Sequence, residues 1–220
     1  MKQMLIPVVA TAALVSVALP AQAREGDLVA RIRATYVAPD ASSRLNLSGP
    51  GTPDLTTGFL SPDTNVIPEV DLSYHFTDNI AAELIFATGS RHHVVQKGPA
   101  QPVSADPIGD LGSVNLLPPT LTVQWHFNPD QTIDPYLGVG INYTRFMDNN
   151  LLGGAIHTER NSFGPAIQFG ADYNLEAGWL LNFDVKKVWI QTDVKLAGVG
   201  KVDSLDINPW VVSVGIGKKF

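Results

Sequence analysis

The chain has 220 residues, enough for one substantial domain, with a net charge of −6 and no cysteine. Apolar residues make up 45% of it and charged residues only 16%, against roughly 25% charged in an ordinary soluble domain. The acidic balance and the lack of any basic run exclude nucleic acid as a partner, and a chain without cysteine holds itself together without disulfides.

At the N-terminus, Lys2 precedes the apolar run "MLIPVVATAALVSVALP", and Ala21-Gln22-Ala23 supplies an A-x-A cleavage box. This is the pattern of a secretory signal peptide over residues 1–23, leaving a single domain over 24–220. A membrane anchor is the competing reading, and the short run with its cleavage box argues against it. Beyond it no window reaches the ~20 apolar residues of a transmembrane helix, so a spanning form of this chain must be a closed barrel.

Eight segments then alternate with a period of two, the mark of a strand whose faces meet different surroundings: 28–38, 66–76, 80–89, 116–127, 135–146, 164–174, 179–192 and 206–220. In 66–76, Val66, Val70, Leu72, Tyr74 and Phe76 share one face, opposite Glu69, Asp71, Ser73 and His75. In 116–127, Leu117, Leu121, Val123, Trp125 and Phe127 oppose Thr120, Thr122, Gln124 and His126. Alternation alone leaves two folds open, a soluble barrel with its apolar face inward and a membrane barrel with that face outward.

The connections decide between them. Segments 39–65, 90–115 and 147–163 are long, 193–205 is moderately long, and 77–79, 128–134 and 175–178 are short, as outer-membrane barrels alternate loops outside with turns inside. "SGPGTPDLTTG" and "KGPAQPVSADPIGD" in the two longest read as irregular. Phe76, Phe127, Trp179 and Phe220 fall at the short-turn end and Tyr36, Trp189 and Trp210 toward the other, as two interfacial girdles require. The expectation is all-β: an eight-stranded antiparallel up-and-down transmembrane barrel with periplasmic termini in a bacterial outer membrane.

Several stretches resemble one family. "LVARIRATYVAPD", "LPPTLTVQWHF", "DPYLGVGINYTRF", "FGPAIQFGADY" and the terminal Phe220 are similar, in order, to the OmpW family of outer-membrane proteins, over about residues 24–220. The resemblance implies the same eight-stranded barrel and passive uptake of small hydrophobic compounds, as in the alkane-uptake proteins of the AlkL type. It also implies that Phe220 is part of the signal read by the barrel-insertion machinery. Lys218 departs from the hydrophobic residue usual two places before that aromatic; its position suits snorkelling toward the headgroups.

With the apolar face in lipid, Arg31, Arg33, Glu69, Asp71, Glu83, Asp172, Asp184 and Lys186 face the lumen. A barrel of eight strands has room only for side chains or one small ligand, so these charges are expected to pair across strands. The resulting plug either simply ties the wall together or also shapes transfer, because an apolar solute blocked below needs another exit. Pro68, Pro118, Pro119, Pro165 and Pro209 cluster at the outer ends of strands two, four, six and eight, where a residue without N–H weakens pairing. Pro118-Pro119 is the candidate lateral opening, while proline at a strand start is by itself ordinary.

Covalent chemistry has little support. His92-His93 and His157 lack the further ligands at defined spacing that a metal site needs. No G-x-S-x-G elbow occurs, and Gly200-Lys201 lacks the other P-loop residues, with Lys195 and Val202 in their places. Gly138-Val139-Gly140 lies in a strand and is expected to relieve crowding. The reading is therefore a passive path with no catalytic residue, metal or cofactor, whose partners are outer-membrane lipids, the insertion machinery and small hydrophobic solutes. Loops 39–65 and 90–115 form its vestibule and the upper lumen its pocket. The alternatives are a structural or receptor barrel, which can be filled throughout, and a lipid-modifying enzyme, which needs a nucleophile beside a base near the outer leaflet.

Overall fold

The computed structural model describes residues 25–40, 59–87, 90–97, 110–148, 150–151, 156–196, 198 and 200–220; the expected signal peptide, 1–23, lies outside them. Along the chain the strands are β1 (Leu28–Ala38), β2 (Phe59–Pro62), β3 (Asn65–His75), β4 (Ile80–Ala87), β5 (Ser90–Lys97), β6 (Asp110–Leu117), β7 (Thr120–His126) and β8 (Ile133–Asp148). They continue as β9 (Asn150–Leu151), β10 (Ile156–Thr158), β11 (Asn161–Asn174), β12 (Trp179–Val188), β13 (Gln191–Leu196), β14 (Gly200–Asp206) and β15 (Trp210–Lys219). Eight of them close a barrel in the order β1, β3, β4, β7, β8, β11, β12, β15, each antiparallel to its neighbours.

Alternation and burial agree along every wall. In β3 the side chains of Ile67, Glu69, Asp71, Ser73 and His75 are buried while Val66, Val70, Leu72 and Tyr74 are exposed. A soluble protein does not expose so many large apolar residues in one continuous band, and the polar residues are the enclosed ones, as in a barrel standing in lipid. The seven aromatics of the two expected girdles are all on the exposed face. Lys218 lies 5.2 Å from the Trp179 ring centroid and donates to the Ala177 carbonyl, so this outward charge is held at the short-turn rim.

The first and last strands run in register from Val29↔Lys219 to Ala38↔Trp210, and Leu28 and Phe220 exchange backbone hydrogen bonds of 3.2 and 2.9 Å. Gly140 permits close approach of neighbouring walls: a Cβ there would lie 2.1 Å from the Leu121 carbonyl oxygen. Its role in relieving crowding concerns backbone as well as side chains.

The expectation that the two longest connections are irregular is corrected where they are described, while the quoted stretches, 48–58 and nearly all of 97–110, lie outside the described residues. β5 and β6 pair with one another inside 90–115, β2 pairs with β5, and β13 and β14 pair over 193–205, with β9 and β10 extending the second ribbon. Pairing continues beyond the lipid because backbone groups still need partners. The apolar alternation that betrays a strand stops where lipid stops. Three predicted strands are accordingly split, 116–127 at Pro118-Pro119, 179–192 at Trp189-Ile190 and 206–220 at Asn208-Pro209, where Asn208 has a positive φ of 36°.

Candidate functional site: a lumen sealed below and apolar above

The inward residues of each wall change character along the strand. β1 presents Arg31, Arg33, Thr35 and then Val37; β4 presents Glu83, then Ile85 and Ala87; β12 presents Asp184, Lys186 and then Val188. Charge is concentrated at mid-height, and apolar residues lie above it toward the ribbons.

The charged level is one network in which hydrogen bonds join seven of the eight lumen charges and ion pairs hold the eighth, Asp71. Arg31 donates to Asp172 at 2.6 Å, to Ser73 at 2.6 Å and to Glu83 at 3.3 Å. Arg33 donates to Glu69 at 3.1 Å and Glu83 at 2.9 Å. Lys186 donates to Glu69 at 2.9 Å and Asp184 at 2.7 Å. Asp71 sits differently: its oxygens lie 3.5 Å from Arg31 Nη1 and 3.2 Å from Arg33 Nε, close enough to be ion pairs, but neither is aligned for a hydrogen bond.

Neutral residues that parity alone did not single out complete this level. Gln124 and Gln168 donate to Glu83 Oε2 at 2.8 and 2.7 Å, and Gln168 also donates to Asp184 at 2.7 Å. Tyr136 donates its hydroxyl to Asp184 at 2.8 Å while accepting from Asn182 at 3.0 Å. Their signal was inward parity at the same height as Glu83. Below them His126 Nδ1 lies 2.7 Å from Asp134, and His75 stacks obliquely on His126 with ring centroids 4.8 Å apart. Fully buried charges survive in a fold only when paired and hydrogen-bonded, and this layer leaves no open aqueous bore among the described residues.

Above the network lies a cavity of about 940 Å³, counting its mouth. Thr35, Glu69, Thr120, Asn142 and Lys186 supply its polar edge, and Val37, Ile67, Ile85, Phe146, Val188, Ile190, Leu205, Ile207 and Val211 most of its wall. Ile190, Leu205 and Ile207 come from the bases of the β13–β14 ribbon and its junctions, so the ribbon builds the chamber's upper rim.

The prolines are not equivalent. Pro68 and Pro165 stay in register opposite Ala34 and Ile141, and the Pro209 carbonyl accepts from Val188 N at 3.2 Å. At Pro118-Pro119 the β8 side is tied down, with Tyr143 N donating to Pro119 O at 3.0 Å. On the other side, pairing among the described residues stops at Ile85↔Thr120 and resumes at Ser90↔Leu116. Ala87, Leu116, Pro118 and Thr120 beside this interruption also line the chamber.

His75 and His126, both inward-facing, stack on one another, while the loop histidines lie elsewhere. His157 is in β10 opposite Lys195, half-buried; the side chains of His92 and His93 lie outside the described residues. No group of three or more metal-binding side chains occurs among the described residues.

Comparison with known proteins is consistent along the chain. The family model described as "OmpW family" matches residues 24–220. An uncharacterized outer-membrane protein of Sinorhizobium fredii is 39% identical over 170 residues, covering 73% of this chain and 69% of that one. Outer membrane protein W of Vibrio cholerae is 33% identical over the full length of both chains. Among solved structures, the outer-membrane protein OprG of Pseudomonas aeruginosa superposes with a TM-score of 0.75 at 29% identity, covering 90% of this chain and 97% of that one.

Proposed function

Because the chain belongs to the OmpW family of bacterial outer-membrane barrels, we propose that it passively admits small hydrophobic molecules and directs them sideways into the membrane. The termini and short turns are periplasmic in this reading, and the ribbons stand outside. A solute enters between the ribbons and settles in the apolar chamber. The charge network below bars its descent, since leaving apolar walls for a layer of paired ions is costly for solute and network alike. The exit is the wall at Pro118-Pro119, where pairing among the described residues is interrupted and two successive residues lack N–H groups.

The observation that carries this reading is the chamber itself, apolar and seated directly above a fully paired plug. A barrel serving only as a scaffold or receptor needs no such space. No bond is made or broken on this path, so no catalytic residue or cofactor is invoked. Phe220, exposed at the short-turn rim, keeps its proposed place in recognition by the insertion machinery.

The test is uptake of a graded series of hydrophobic solutes into deletion cells with and without the protein. Restored uptake that rises with solute hydrophobicity up to a size limit is expected. Failure to restore any uptake despite correctly inserted protein would leave the scaffold or receptor reading in its place.

A further inference from the structure

Of the eight lumen charges, two also line the chamber, Glu69 and Lys186. They meet at its floor as an ion pair, with Lys186 Nζ 2.9 Å from Glu69 Oε1. Their side chains keep 2% and 3% exposure, against none for Arg33 and Asp184, to which they are bonded below.

The plug does not use up either group. Glu69 Oε1 accepts from Arg33 at 3.1 Å, from Lys186 at 2.9 Å and from Ser213 at 3.4 Å, whereas Oε2 accepts no hydrogen bond among the described residues. Lys186 spends two of its three N–H groups, on Glu69 and on Asp184 at 2.7 Å. The rest of the polar edge is satisfied within the wall: Thr35 donates to Ser213 Oγ at 2.9 Å, Asn142 to Thr120 Oγ1 at 2.9 Å and Thr144 to Asn142 Oδ1 at 2.6 Å. An otherwise apolar chamber is thus left with one acceptor and one donor, both on a single ion pair.

We propose that the solute this chamber selects is a hydrophobic alcohol or phenol, whose hydroxyl donates to Glu69 Oε2 and accepts from Lys186 Nζ while its hydrocarbon body lies against Val37, Ile67, Ile85 and Val188. The inference rests on the chamber reading given above and adds the chemistry of the solute's polar end. A plain hydrocarbon seated there covers Glu69 Oε2 and leaves it without a partner, which is costly for a charged acceptor. A charged solute unbalances an ion pair already matched within the wall. An ether or ketone accepts from Lys186 but brings no donor for Oε2. A neutral hydroxyl supplies donor and acceptor on one atom.

Binding is measured on the folded full-length chain in zwitterionic micelles, by fluorescence titration with naphthalene, 2-naphthol, 2-methoxynaphthalene and 2-naphthoate. Each affinity is corrected for partition of the probe into protein-free micelles. The native chain is expected to bind 2-naphthol at least about tenfold more tightly than naphthalene or 2-methoxynaphthalene, as a hydrogen bond to a charged acceptor gives, and 2-naphthoate no better than naphthalene. Glu69→Gln, whose amide presents N–H groups where Oε2 was, is expected to reduce that preference to within about twofold. The comparison of 2-naphthol with 2-methoxynaphthalene on the native chain tests the hydroxyl with no substitution, so it decides even where the variant folds poorly. Equal corrected affinities for those two probes, or an undiminished preference in folded Glu69→Gln, would overturn the inference and leave the chamber reading standing. Failure of naphthalene and 2-naphthol alike to bind would overturn both.

Discussion

Glu83 collects more of the plug than any other carboxylate, accepting from Arg31, Arg33, Gln124 and Gln168. Glu83→Gln removes one charge and leaves two buried guanidinium groups short of a partner, which should cost about 3–5 kcal/mol and lower the temperature at which the barrel loses its compact form on unheated gels. Tyr136→Phe is milder: Asp184 loses a donor and Asn182 an acceptor, a loss of about 1–3 kcal/mol, measurable by urea unfolding in micelles. Gly140→Ala tests backbone contact, and its Cβ against the Leu121 carbonyl should reduce the yield of folded barrel even though the side chain is small. Much at this scale was legible, because a charge in a period-two segment has only two faces to choose from. Gln124, Gln168 and Tyr136 were not recognised as one layer, since neutral residues do not demand partners across the lumen in the way Arg31 and Asp172 do. The switch from Arg33 through Thr35 to Val37 was visible in the sequence too, but it becomes a chamber only when the other walls are aligned beside it.

Strands betray themselves where lipid lies on one side and polar side chains on the other, which is why the eight barrel walls were readable from alternation. β13 and β14 are short strands beyond the walls, and β5 with β6 is set in a Pro- and Gly-rich stretch, so neither ribbon carries the long apolar alternation that marks a wall. The β13–β14 ribbon is bound to the barrel mainly through its base, where Val194 and Leu205 are buried. Replacing residues 193–204 with an Asn-Gly turn should leave the heat resistance of the barrel unchanged while weakening binding of an apolar fluorescent probe several-fold. A collapse of heat resistance would mean that the ribbon is part of the folding core.

Taken whole, the molecule places a sealed polar layer inside an apolar sleeve and an open apolar chamber above it. Such a body should pass ions poorly: in planar bilayers the native chain is expected to lack the large stepwise currents of a water-filled porin, while still binding apolar probes from the outer side. The sequence-level resemblance anticipated the barrel, but it did not show that pairing among the described residues stops at Ile85↔Thr120 and resumes at Ser90↔Leu116, which depends on which strands become neighbours. The most direct measurement is hydrophobic solute uptake by deletion cells carrying Pro118→Val/Pro119→Val, with folded protein matched to the native level. Restoring N–H donors at that wall should cut uptake several-fold while leaving probe binding in the chamber intact. Uptake equal to that of the native chain would contradict a sideways exit at this wall.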